Sequence, residues 1–172
     1  MRFSAYRKSR RAAAITSVIL LVLWAGIGWQ PAAAAQGPFA AFHGSWSGAG
    51  TMRINGKVER IRCQASYRPL GSSAHEIDLS LKCDSDSYKF NLGGRFRADE
   101  GNHVSGQWTE HTRNVGGIVI GNVLGERFQL HVESNAFTAD MVIRTNSRAQ
   151  SVSIDAQGGG QNVKASLTLR QH

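Results

Sequence analysis

From Phe39 onward, apolar residues return at every second position, and no window shows the 3.6-residue period of an amphipathic helix. Successive side chains of a strand point to opposite faces. Such an alternation therefore commits the chain to strands with one buried and one wetted face. The run 58–67 shows it plainly: Ile61, Cys63, Ala65 and Tyr67 alternate with Arg60, Arg62, Gln64 and Ser66. Comparable runs are expected at 43–54, 76–83, 87–96, 103–113, 115–124, 126–133, 136–144, 150–156 and 163–170, each bounded by Gly, Asn, Asp or Ser clusters. Asn55-Gly56 is the two-residue signal of a tight hairpin.

About ten short strands with short connections form an antiparallel meander, so the fold class is all-β. A closed barrel is favoured over a sandwich, because closure removes exposed strand edges. That matters for a chain carrying a stretch as adhesive as Gly117-Ile118-Val119-Ile120-Gly121-Asn122-Val123-Leu124. An outer-membrane barrel would need aromatic girdles at both ends of its strands, and the pattern does not supply them.

Residues 1–35 read as a secretory signal peptide. Arg2, Arg7, Lys8, Arg10 and Arg11 make a positive start, residues 12–29 are apolar, and Ala33-Ala34-Ala35 fits the small-residue rule before a cut. Cleavage is expected after Ala35, with 36–42 as a short linker and 43–172 as a single domain. The reading implies export, to the periplasm or beyond, and contact with a membrane only through the leader. Ser9-Arg10-Arg11 touches a twin-arginine pattern without the hydrophobic pair that should follow it.

The net charge of +8 is mostly leader. Beyond residue 35, 15 basic residues face 12 acidic ones, interleaved along the strands rather than gathered on a face. No nucleic-acid footprint results.

Cys63 and Cys83 are the only cysteines. Opposed residues of a hairpin have a constant index sum. Pairing 58–67 with 76–83 about residue 73 sets Tyr67 against Leu79, Ala65 against Leu81, and Cys63 against Cys83. A structural disulfide is expected, since an oxidising compartment would let it form.

Other chemistry is sparse. The six histidines, His43, His75, His103, His111, His131 and His172, include no helical metal-binding pair. His103 and His111, placed on one strand, would lie roughly 26 Å apart at strand rise. No metal site and no cofactor are expected. Gly117, Gly121 and Gly125 leave one strand face bare, which suits either close backbone approach or a flat platform. Gly44-Ser45-Trp46-Ser47-Gly48 puts Trp where a nucleophilic serine would stand. Glu59 and Glu110 fall on the parity of the apolar faces, so each is either at an exposed strand end or buried with a partner; Arg113 and Arg95 are candidate counter-charges.

The segments Gly44-Ser45-Trp46-Ser47 and Gly106-Gln107-Trp108-Thr109 echo each other, and the first resembles the Gly-x-Trp signature of lipocalins and related calycin barrels. That resemblance implies a cup-shaped antiparallel barrel that binds small, often apolar molecules. It also implies an arginine near the last strand packed on the tryptophan, for which Arg170 is the candidate, although its parity lies opposite the leucines.

The leading functional expectation is a carrier or binding barrel with an apolar interior and a void near its centre. Trp46, Tyr67, Tyr88, Trp108, Glu110 and Phe128 are the candidate ligand-binding residues, and the ligand would be a small apolar molecule. The alternative is a ligand-free module that binds the envelope or another protein through an exposed patch, for instance the Gly-rich strand. An enzyme ranks last, with no catalytic set in view.

Overall fold

The computed structural model describes residues 37–172. The expected leader and its cleavage point lie outside the described residues. Ten strands follow in order: β1 (Gly44–Ile54), β2 (Lys57–Leu70), β3 (Glu76–Asp84), β4 (Lys89–Ala98), β5 (His103–Glu110), β6 (Val115–Leu124), β7 (Arg127–Ser134), β8 (Thr138–Thr145), β9 (Ala149–Gly158) and β10 (Gln161–Gln171). Each pairs antiparallel with the next, and β1 pairs with β10, so the sheet closes into a barrel. Barrel rather than sandwich is thus the outcome, and every strand has two neighbours.

The expected parity holds around the ring. Trp46, Met52, Ile61, Cys63, Ala65, Ile77, Cys83, Val104, Trp108, Val119, Phe128, Val152, Leu167 and Leu169 all point inward and are buried. Outward positions carry charge and hydroxyls, such as Arg60, Arg62, Gln64 and Ser66, all exposed. Asn55 and Gly56 both have positive φ, 46° and 90°, the mirror-image turn that joins twisted strands tightly.

Cys63 and Cys83 are direct cross-strand partners and form the disulfide. Tyr67 opposes Leu79 and Ala65 opposes Leu81, as the index-sum argument requires.

Gly117 and Gly121 point inward where β6 meets β7. A Cβ on either would sit 1.8 Å from the Glu133 carbonyl oxygen or 2.1 Å from that of Gln129. Close backbone approach at a bend, not a platform, accounts for them. Gly125 is not part of that face; it turns the chain between β6 and β7 with φ of 60°.

Residues 37–42 do more than link. Ala40–Phe42 forms one turn of 3-10 helix, and Phe39 and Phe42 are buried in the end of the barrel. Phe42 meets Tyr67 and Phe128 edge-on, at ring separations of 5.1 and 4.9 Å, while Phe39 stacks on Phe128. The Phe42 carbonyl accepts a hydrogen bond from Trp46 Nε1 at 2.7 Å. The Gly-x-Trp tryptophan therefore holds the plug that closes this end. Arg170, by contrast, is on the outer face beside Ser47 and does not pack on Trp46.

Candidate functional site: the interior of the barrel

Ten strands enclose more space than eight, the number whose interior is just filled by side chains or just holds one small ligand. The exposure pattern reflects that width. Leu79, Leu81, Leu92, Phe96, Leu130, Met141, Ile143 and Ile154 all point inward at or near mid-barrel, yet each is only half-buried. In a closed barrel, accessible surface on an inward side chain borders internal space. The inner wall is thus apolar and not fully covered by the core.

Its floor is the plugged end. Trp46 and Phe128 are each 1% exposed and form structure rather than surface. Tyr67 stands among them, half-buried, and its hydroxyl donates to Gln150 Oε1 at 3.3 Å. Burial pushes the Tyr67 phenol pKa up.

The other end is a rim whose turns run from two to four residues, too short to lie across a barrel mouth. Aromatic rings gather there. Tyr88 and Phe90 stack at 6.3 Å, Phe137 lies 5.5 Å from Trp108, and the Arg113 guanidinium sits 5.2 Å over Phe90. A shallow cavity of about 190 Å³ opens beside Tyr88, lined also by Ile54, Lys57 and Glu59.

Glu59 and Glu110 are both buried at this rim, at 8% and 6% exposure, so neither is an exposed strand end. Each carboxylate fastens a turn. Glu59 accepts from Lys57 Nζ, Ser87 Oγ, Ser87 N and Ser85 Oγ. The hydrogen bond from Lys57, followed by those from Ser87, holds its pKa down at about 2. Glu110 accepts from the backbone amides of Asn91, Thr112 and Arg113, with the Arg113 guanidinium at 3.6 Å. Burial pushes the Glu110 carboxyl up, but the amides of Asn91 and the 111–114 turn prevail and leave it at about 2. Arg113 is the counter-charge; Arg95 instead pairs with Asp78.

The six residues singled out by sequence do not form one cluster. Trp46, Tyr67 and Phe128 belong to the floor, Trp108 to the wall, and Tyr88 and Glu110 to the rim. The aliphatic wall between them was missed, although mid-strand position combined with inward parity identifies it. His111 is not on β5 with His103 but in the 111–114 turn. His43, His103, His111 and His172 are exposed, while the half-buried His75 and His131 engage the Ala98 carbonyl and Asp140 respectively. Among the described residues, no group of three or more His, Cys, Asp or Glu is placed to hold a metal.

No family model matches the chain, and no curated protein matches it. Among solved structures it is similar to the crystal structure of Rv2717c from M. tuberculosis. The TM-score is 0.61 at 14% identity, over 77% of this chain and 94% of that one. At such identity the likeness is one of fold: a small closed antiparallel barrel.

Proposed function

We propose that this barrel binds a small apolar molecule within its chamber, as a carrier or binding protein. The half-buried aliphatic wall carries the reading. A solid core would cover Leu81, Leu130, Met141 and Ile154 fully, since leaving apolar surface beside water forfeits about 25 cal/mol per Å². The aromatic rim and the short turns above it favour entry at that end. A disulfide between Cys63 and Cys83 suits an exported protein, and export is part of the proposal.

Titration with Nile red, a neutral dye that brightens in apolar surroundings, tests it. Saturable brightening at one dye per chain is expected, and the paired filling substitutions Leu81→Trp and Met141→Trp should abolish it while leaving the melting transition in place. A wild-type protein that does not brighten the dye, or a filled variant that binds it as well, overturns the reading.

A second reading has one observation in its favour. Ile118, Ile120 and Leu124 on the outer face of β6 are 44%, 47% and 64% exposed, an apolar stripe of the kind that marks contact surfaces. It would make the Gly-rich strand a docking face for another protein.

A further inference from the structure

Gln150 reaches inward from β9 at the chamber floor and is 1% exposed. Its neighbours across the ladders are Thr145 and Leu169, both buried. Its Oε1 accepts the Tyr67 hydroxyl, whereas its Nε2 has no hydrogen-bond partner. Trp108 Nε1, on the same inner face near the bare backbone of Gly117, is also buried without a partner. Buried donors are almost always satisfied, because an unmade bond forfeits what water would have supplied. Two such donors on the inner face of an otherwise apolar chamber point to an acceptor that enters from outside the chain.

The chemistry of that acceptor is narrowed by what the interior lacks. Among the described residues, Lys57 and Arg113 at the rim are each paired with a carboxylate, and no other Lys or Arg of a strand falls on the inward parity. An anionic head at the floor would stand unpaired in a low-dielectric space, which is strongly unfavourable. We propose that the chamber takes a neutral, elongated apolar molecule bearing a carbonyl oxygen, bound head first so that this oxygen accepts from Gln150 Nε2. The proposal rests on the chamber reading above and gives it a ligand class.

Displacement of Nile red by three probes of matched chain length tests it: a long-chain methyl ketone, the corresponding alkane and the corresponding carboxylate. The ketone should displace the dye at a concentration roughly tenfold below the alkane, the scale of one hydrogen bond, and the carboxylate should be weakest. Gln150→Leu and the volume-matched Gln150→Met should bring the ketone to parity with the alkane while leaving alkane displacement unchanged, with melting curves confirming the fold. Equal displacement by ketone and alkane in the wild type, a preference that survives both substitutions, or a carboxylate that outcompetes the ketone overturns the head-first carbonyl site and leaves the chamber standing. Failure of all three probes and of the dye overturns both.

Discussion

Cys63 and Cys83 face each other directly across β2 and β3, with Cα atoms 4.1 Å apart and both side chains inside the barrel. The bond closes a stretch of 20 residues. In the chain-entropy account such a loop restricts the unfolded state by about 3 kcal/mol. Replacing both cysteines by alanine should lower the unfolding free energy by about that much, seen as an earlier denaturation midpoint, with the strand content seen by far-ultraviolet dichroism retained. An unchanged midpoint would show that the unfolded chain is already confined there.

Acid should weaken the rim first. Glu59 and Glu110 are held near pKa 2 when folded, against an ordinary 4.5. A carboxylate lowered in this way contributes stability that is complete above pH 4.5 and is lost as the pH falls toward 2. The melting temperature should therefore be flat above about pH 4.5 and fall below it. Glu59→Gln with Glu110→Gln should reduce that slope, leaving a remainder that belongs to Asp78, held down by Arg95, and to Asp99, held down by the His103 amide.

Removing the plug ring should be costly. Phe42 is 3% exposed and touches the rings of Tyr67 and Phe128. Phe42→Ala should lose about 3–5 kcal/mol in denaturant unfolding, the range for a buried phenylalanine. A loss below about 1 kcal/mol, the scale of ordinary surface effects, would mean that residues 39–42 dock only loosely.

The bent glycines make a sharper test, because they separate close approach from flexibility. Gly117→Ala places a methyl against the Glu133 carbonyl and should destabilise by about 1–3 kcal/mol through overpacking. A Cβ at Gly56 meets nothing within 4 Å, so Gly56→Ala carries only the strain of its φ of 90°. It should cost less, about 1 kcal/mol. Equilibrium unfolding of the two variants side by side decides whether the inward glycines are spacers.

Much of this fold was legible because strand parity is a local signal. The alternation in 58–67 and 76–83 sufficed to set Cys63 opposite Cys83, with no information from elsewhere in the chain. What escaped the sequence depended on contacts distant along it. Phe39 and Phe42, three residues apart, precede β1 and do not share a parity, and only the width of the barrel end gives a three-residue turn something to fill. Glu59 and Glu110 showed the right parity, but whether they were exposed ends or buried staples turned on Ser87 and Asn91, which other strands bring to them. How much of the inward aliphatic wall stays uncovered was invisible for a similar reason. Alternation tells which side chains face inward, and says nothing about how far apart the facing walls stand.

Closure of the ring has a consequence for how the molecule comes into being. Nine of its ten ladders join neighbours in sequence and can zip as hairpins. The tenth joins Trp46 to Gln171 and Ile54 to Val163, from opposite ends of the described chain. A ribosome delivers β1 more than a hundred residues before its second partner. Until β10 arrives, the nascent sheet has two raw edges and the adhesive β6 lies between them. Loop-closure entropy makes this long seam the slow one. The barrel is therefore all but finished and still open until β10 is made, which makes the interval before it the time of greatest risk of joining a neighbour instead of itself.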